Sequence, residues 1–463
     1  MRSDWNARYD PPRVRGRTLR GQVFMTARQH FDRQFTFDNL REIFEERIAH
    51  TATTGKDGVS PDAFQRMIDS ELSLTLAKVR NGTYRFTTYR QKLVLKGVGK
   101  APREISIATV RDRIVLRAIN DVLIESFSDK RQAAPHHYIY EISDLIRPLG
   151  DDYSFVQIDV QDFYPSIIHQ LLMQRVRSRV RTRDLLTLIE TAIQTPTGAP
   201  SPQGAVRGVP QGLSISNILS AIYMIRFDEM MQSRYSYFRY VDDIIVVCKT
   251  DSAEKTFAFI AKQLNKIGLQ CHPPTEGSKS KIVPLNTGVN YLGYYVKPDI
   301  ISVRTSSYRR MMDTIMGVLT AAKHTTNNKK ILRRLNIKIT GCIFDQKRRG
   351  WMFFFSMTTD IKQLRRLDKF VERAWQRAGM QQFGRPKTFV KTYYEIRYHL
   401  DETKYIPRFD EYTKAQKASL IADMMGREAA EVMTWPQDRM DRAFAKIVRK
   451  EVAQLENDIT PFS

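Results

Sequence analysis

Residues 238–247, FRYVDDIIVV, set two adjacent aspartates, Asp242 and Asp243, between two apolar runs. The flanks have the β-branched and aromatic content of strands, so the segment predicts a strand, a tight turn and a second strand. Apolar character on both sides predicts a pair buried on both faces, which confines it to the middle of a sheet. Acids at the end of such a hairpin are costly to desolvate unless something neutralises them. Solvated acids at an exposed tip are the plainer explanation for such a pair. A divalent cation is the other, because Mg²⁺ prefers carboxylates together with phosphate oxygens.

A further acid at the end of a predicted strand is Asp159, in SFVQIDVQDFYPSI. If the two strands are neighbours in one sheet, Asp159 and Asp242 converge. Metal ions clamped there would stabilise the attacking and leaving oxygens of phosphoryl transfer. One carboxylate pair is weak support for this. The ordered set D-x-x-x-x-Y, P-Q-G before a helix, and Y-x-D-D, all within 85 residues, is specific.

Length, composition and charge bound the chain further. Its 463 residues exceed one compact core and suggest about two to four domains. Hydrophobic residues at 42% exclude global disorder. The net charge of +24, from 74 Lys and Arg against 50 Asp and Glu, points to a polyanionic partner. Cys248, Cys271 and Cys342 have no C-x-x-C spacing, which argues against a zinc site or redox pair and for a reducing compartment. The N-terminal stretch MRSDWNARYDPPRVRGR has no apolar core of a signal peptide, and no apolar run approaches the ~20 residues of a membrane span. A cytoplasmic protein without a membrane partner is expected.

Along the chain, residues 1–30 read as a basic arm and FDNLREIFEERIA as a helix. Ser60-Pro61 reads as a helix start, and Asn81-Gly82 ends that helix after about Val79. YRFTTYRQKLVLKGVGKAPREISI predicts a β-hairpin with KGVGKAP as its turn, and TVRDRIVLRAINDVLIESF an amphipathic helix. LLMQRVRSRVRTRDLLTLIETAI reads as helical, GVPQGLSISNILSAIYMIRFDEMM as a glycine turn entering a long helix, and NYLGYYV as a strand. TFAFIAKQLNKIGL is a helix stopping at Gly268, and basic helical segments dominate after about residue 305.

With these motifs in place the chain resembles reverse transcriptases, specifically the bacterial kind related to group II intron, retron and defence-associated enzymes. The resemblance covers roughly residues 50–300. QIDVQDFYPSI is similar to the first palm motif, GVPQGLSISNILS to the second, and YVDD to the family's Y-x-D-D. KLVLKGVGKAPREISI resembles the fingers hairpin, and GLQCHPPTEGSKSKIVPL the region carrying a catalytic lysine.

That resemblance implies roles residue by residue. Asp159 and Asp242 would bind the metal ions, with Asp243 as a structural or electrostatic partner at the metal site and the Val160 carbonyl as a further ligand. Tyr164, five residues after Asp159, matches the ring that excludes a 2′-hydroxyl. Asp162 and Phe163 would meet the triphosphate through their backbone amides, and Gln211 the incoming nucleotide. Arg103 would hold the triphosphate in a bidentate fork, with Lys96 as partner and Lys100 as the alternative. Lys279 or Lys281 would protonate the leaving pyrophosphate; spacing does not decide between them, and Lys279 is the first choice. The expected catalytic group is Asp159, Asp242, Asp243 and Lys279.

The implied fold is α+β: a right-hand polymerase with fingers and palm, in which an antiparallel sheet packs on helices, and a helical thumb. The expected divisions are 1–45 basic arm and helix, 46–155 fingers, 156–300 palm with part of the fingers, 301–400 thumb and 401–463 a helical extension. The implied activity is RNA-directed DNA polymerisation from dNTPs with two Mg²⁺ ions, Mn²⁺ being the substitute. KITGCIFDQKRRGWMFFFSM looks more like the thumb of defence-associated enzymes, implying a noncoding RNA template, a DNA product, and a companion protein or homo-oligomer. Trp351 and its phenylalanines could stack on bases, but a core or interface fits better. The competing readings are a retron-type enzyme making RNA-linked DNA, a protein-primed or non-templated polymerase, and a non-catalytic nucleic-acid scaffold.

Overall fold

The structure, a computed structural model, describes residues 25–95, 102–130, 132–199, 206–321 and 327–457. Helices and antiparallel strands are mixed along the chain, in the α+β organisation expected of a right-hand polymerase. No described helix is long and apolar enough to cross a membrane. The chain forms two compact units. The first comprises Met1–Gln132, Ile158–Asp242 and Lys255–Ser280, and the second Ala133–Gln157, Asp243–Glu254 and Lys281–Ser463.

In the first unit, β1 (Arg90–Val94) and β2 (Arg103–Ile107) form the expected antiparallel hairpin, Arg90 opposite Ile107 and Val94 opposite Arg103. Its predicted turn, with Lys96 and Lys100, lies outside the described residues. The helix Val110–Ser126 starts where the Thr109 side chain accepts from the Asp112 amide, and it buries Ile114, Val115, Ile119 and Leu123. The Ser60 cap is also present, accepting from Ala63 N at 3.2 Å. That helix is broken, however, into Pro61–Gln65 and Ile68–Arg80. The arginine-rich segment likewise forms two helices, His169–Arg177 and Arg183–Gln194, rather than one. The helix Ser216–Gln232 is buried nearly all round, as a core helix must be to place Ile218, Leu219, Ile222 and Met224 out of water.

The strand β3 (Tyr153–Gln161) alternates, with Val156, Ile158 and Val160 buried and Gln157, Asp159 and Gln161 on the less buried side. β4 is Ser236–Tyr240, β5 is Asp243–Lys249, and Val241-Asp242 is the turn between them. β6 (Gln270–Cys271) pairs antiparallel with β3, Val160 opposite Cys271.

In the second unit, β7 (Lys281–Pro284) pairs with the first half of β3, Gln157 opposite Lys281. NYLGYYV is not one strand. It folds into β8 (Val289–Tyr291) and β9 (Tyr294–Lys297), because Leu292 and Gly293 both take positive φ, 47° and 85°. β10 (Ile300–Val303) completes that sheet. A further hairpin, β11 (Cys342–Phe344) with β12 (Lys347–Arg349), precedes Trp351. Trp351 is 1% exposed and Phe355 0%, with ring centroids 4.7 Å apart, so these two rings are core, while Phe353 and Phe354 are half-buried. The helices Lys414–Met425 and Gln437–Asn457 pack on Asn328–Thr340 around Ile337, Cys342, Ile421, Met440 and Leu455.

Candidate active site

β3 delivers Asp159 on its less buried side. The Asp159 amide donates to Ser280 Oγ at 3.1 Å, and its carbonyl accepts from His272 N at 3.1 Å. These two bonds fix the backbone on which the carboxylate stands. The Asp159 side chain is 18% exposed, and its Oδ2 meets Lys279 Nζ at 3.1 Å and His272 Nε2 at 3.4 Å. The other ring nitrogen of His272 lies 3.3 Å from Gln161 Nε2, so the imidazole is held from both sides.

Asp242 follows a strained residue. Val241 has φ of 55°, a left-handed backbone that is costly for a β-branched side chain. Its neighbours over-determine that conformation. Arg239 Nη1 donates to the Val241 carbonyl at 2.7 Å. Gln132, with its amide oxygen turned to the chain, accepts from the Val241 amide at 3.1 Å. Arg239 is 6% exposed and is itself held by Asp228, through Nε at 2.7 Å and through a second contact from Nη2. Tyr237 OH donates to the same Asp228 at 2.7 Å. A buried charge pair on the helix Ser216–Gln232 and β4 therefore sets the turn that aims Asp242.

Burial raises the Asp242 carboxyl above its ordinary value. A hydrogen bond to its own backbone pulls the other way, the Asp159 charge raises it further, and Arg103 and Lys279 lower it. The structure thus brings Asp159, Asp242, Arg103 and Lys279 into one electrostatic group, with His272 on Asp159, all within the first unit.

Tyr164 lies beside this group. It follows Asp162, which takes a left-handed backbone (φ 41°, ψ 48°) at the start of the short turn Phe163–Ser166. The Tyr164 hydroxyl donates to Asn217 Oδ1 at 2.7 Å, which anchors the ring on the helix Ser216–Gln232. Burial pushes its hydroxyl up to about 12; a bond from Ser220 opposes the shift and the Asp242 charge adds to it. Phe163 is 3% exposed, so its ring is core and only its backbone can meet a ligand.

The P-Q-G turn is set against β2. Ser106 N donates to Gln211 O at 2.7 Å. Gly212 has φ of 98°, and a Cβ there would fall 2.7 Å from Ile105 Cγ2, so only glycine fits this approach. A cavity of about 460 Å³ opens there, lined by Arg103, Asp162, Arg207 and Gln211 together with Pro165 and Val209. Three residues expected at the nucleotide therefore share one cavity.

The remaining expected residues fall as follows. Val160 is 4% exposed within the β3–β6 pair. Asp243 opens β5 in the second unit, where its charge acts on Arg304. Lys281 lies in β7 opposite Gln157. Lys96 is outside the described residues. Among the described residues, no three His, Cys, Asp or Glu side chains gather as a ready-made metal cage. The Asp159 and Asp242 pair nevertheless fits Mg²⁺, which takes one or two carboxylates and completes its shell with water and phosphate.

Sequence reasoning missed His272, Ser280 and the Arg239–Asp228 pair. Nothing in the sequence marks His272 or Ser280. Arg239 did carry a signal: in β4 it shares the buried face with Tyr237, and a charge on a buried face requires a partner.

Residues 95–296 match the family described as reverse transcriptase (RNA-dependent DNA polymerase). Among curated proteins, Protein YkfC of Escherichia coli (strain K12) is 25% identical over 296 residues, spanning 52% of this chain and 75% of that protein. Among solved structures, telomerase from Candida albicans in complex with a TWJ fragment of telomeric RNA is 12% identical with a TM-score of 0.39, covering 86% of this chain and 68% of that one. Apo telomerase from Candida tropicalis is 11% identical with a TM-score of 0.39, covering 84% and 72%. Likeness at that level bears on no residue of the site.

Proposed function

We propose that this chain, whose residues 95–296 match the reverse transcriptase family, is an RNA-directed DNA polymerase whose nucleotidyl transfer takes place between Asp159 and Asp242. The observation that carries this reading is the meeting of those two carboxylates with the Arg103 and Lys279 cations. Divalent ions, Mg²⁺ with Mn²⁺ as substitute, would supply charge stabilisation to the attacking and leaving oxygens. Asp159 and Asp242 would hold them, with the Val160 carbonyl as an added ligand and Asp243 as an auxiliary negative charge. Arg103 binds the triphosphate of the incoming dNTP, with Lys96 as its partner and the Asp162 and Phe163 amides beside it. Gln211 contacts the nucleotide, Tyr164 rejects a 2′-hydroxyl, and Lys279 donates a proton to the leaving pyrophosphate.

In this reading residues 46–155 serve as fingers, 156–300 as palm and 301–400 as thumb, with 1–45 and 401–463 flanking them. The amphipathic helix Ile361–Arg377 supports the thumb assignment. It buries Leu364, Leu367, Val371 and Trp375. Its Arg366, Lys369, Arg373 and Arg377 line a groove of about 480 Å³ with Met316 and Phe370. Such cations position the phosphates of a template–product duplex without reading sequence.

The test is primer extension on an RNA template with dNTPs and Mg²⁺. Extension that survives Asp242→Ala would remove Asp242 from the metal site. We further place the enzyme in bacterial antiphage defence with a noncoding RNA template, which the resemblance of KITGCIFDQKRRGWMFFFSM supports. Sequencing the RNA and DNA that copurify with the protein tests this. A DNA covalently joined to RNA would instead identify the retron-type reaction.

A further inference from the structure

The helix Phe389–Tyr398 carries an aromatic surface that the polymerase site does not use. Its buried side is firmly held. Phe389 and Thr392 are 0% exposed, and the Asp368 carboxylate accepts from Phe389 N at 2.6 Å and Val390 N at 3.1 Å. The opposite side is open. Tyr394 is 44% exposed and Tyr398 50%, and their rings lie nearly parallel, 22° apart in plane, with centroids 6.0 Å apart. One turn before Tyr394, Lys391 is exposed, with its ammonium 4.6 Å from the ring centre of Tyr405. Lys387 approaches the same ring at 4.8 Å. Thr388 N donates to the Tyr405 hydroxyl at 2.8 Å and fixes that ring.

The two tyrosines at i and i+4 leave ring faces open to solvent beside two cations held at the Tyr405 ring. The arrangement suits a ligand with flat faces and negative charge. Unpaired bases have both, since every base presents a π-face and every link a phosphate. A duplex does not, because its faces are already stacked. We propose that this surface is a stacking platform for single-stranded RNA, with successive bases on Tyr394 and Tyr398 and a phosphate at Lys391. RNA is the occupant because an RNA-directed polymerase holds an uncopied, unpaired template, whereas its DNA product leaves paired to that template. The choice of RNA rests on the polymerase reading; the binding itself does not need a working active site.

The test is fluorescence anisotropy of a labelled, unstructured pyrimidine RNA of about twelve nucleotides, a length in the range of single-strand binding sites. It is run on the full chain and on Asp242→Asn. Stacking lost at each base predicts that Tyr394→Ala and Tyr398→Ala each weaken binding about tenfold, in both backgrounds. Tyr394→Phe and Tyr398→Phe keep the ring and retain wild-type affinity, which separates stacking from misfolding. Lys391→Gln reduces the salt dependence by about one phosphate contact. Single-nucleotide insertion on a primer–template duplex with a one-base template overhang persists in the Ala variants, so loss of RNA binding there is distinct from failure of the polymerase reading. Unchanged RNA affinity in the double Ala variant overturns the proposal. So does a loss in the Phe variants equal to that in the Ala variants. Tighter binding of the matching DNA oligonucleotide overturns the choice of RNA.

Discussion

Arg239 Nη1 donates to the Val241 carbonyl at 2.7 Å, one residue before Asp242, and does so from a bidentate grip on Asp228. A strained turn and a buried ion pair are thus one device. Arg239→Lys keeps the charge but loses the fork and the bond to the turn. Asp242 then loses its fixed aim while the nucleotide contacts remain. The expected result is a fall in kcat of about 10- to 100-fold with KM for dNTP little changed, since ångström-scale misplacement costs that much. Stability should fall by about 1–3 kcal/mol, the cost of leaving buried polar groups unpaired. Steady-state primer extension and urea unfolding measure the two, and an unchanged kcat would show that the turn holds itself.

Burial raises the Asp242 carboxyl, and Asp159 adds to the effect. A carboxyl that ionises less readily in the folded state opposes folding once charged. That opposition is present above the raised folded pKa and fades as pH falls through it toward the unfolded value of ~3.9. Asp242→Asn should therefore raise the Tm in EDTA at neutral pH, with the gain disappearing by about pH 4. Adding Mg²⁺ should raise the Tm of the native chain more than that of the variant. The same substitution should lower extension by more than about a thousandfold, because metal charge stabilisation is worth several kcal/mol. Thermal melts across pH, with and without Mg²⁺, check the sign; a lower Tm for the variant at neutral pH in EDTA contradicts it.

Lys279 Nζ touches Asp159, whereas Lys281 is exposed in β7 opposite Gln157. Lys279→Ala should reduce kcat by roughly 10²-fold or more, the range of general acid catalysis. Lys281→Ala should leave kcat within about twofold, as substitution of an exposed side chain without a contact to Asp159 does. Pre-steady-state single-nucleotide insertion distinguishes chemistry from product release, and the opposite ranking would move the acid to Lys281.

The Tyr164 ring is anchored by its bond to Asn217. Tyr164→Ala should lower the preference for dNTP over rNTP by about 10- to 100-fold, equivalent to about 1.4–2.7 kcal/mol of lost exclusion. Tyr164→Phe keeps the bulk and should retain most of the preference. Competing dGTP and rGTP insertion gives the ratio, and an unchanged ratio in the Ala variant would return Tyr164 to the core.

Gly212 has φ of 98° and no room for a Cβ against Ile105. Gly212→Ala should cost about 1–2 kcal/mol from the left-handed backbone alone. It should also raise KM for dNTP, because Gln211 and Arg103 share the cavity that this turn closes. Urea unfolding and dNTP titration read the two effects; a neutral substitution would show that β2 moves aside freely.

What the sequence determined by itself is local. The β3 strand bearing Asp159, the two-residue turn at Val241-Asp242, and the glycine turn before the helix Ser216–Gln232 all follow from periodicity and backbone preference within a few residues. Where local signals conflicted, they failed: NYLGYYV reads as one strand, yet Leu292-Gly293 turns it into a hairpin. Trp351 and its phenylalanines likewise show no inside or outside until the surrounding core is assembled. Only the tertiary structure decided the partners of Asp159. Lys279 lies 120 residues away in the chain, and His272 reaches the same oxygen because Val160 sits opposite Cys271 in the β3–β6 register. The pairing of Arg239 with Asp228 was decided in the same way. Contacts of this kind depend on how strands pair and which helix face turns inward, and a one-residue slip would have pointed each of these side chains elsewhere.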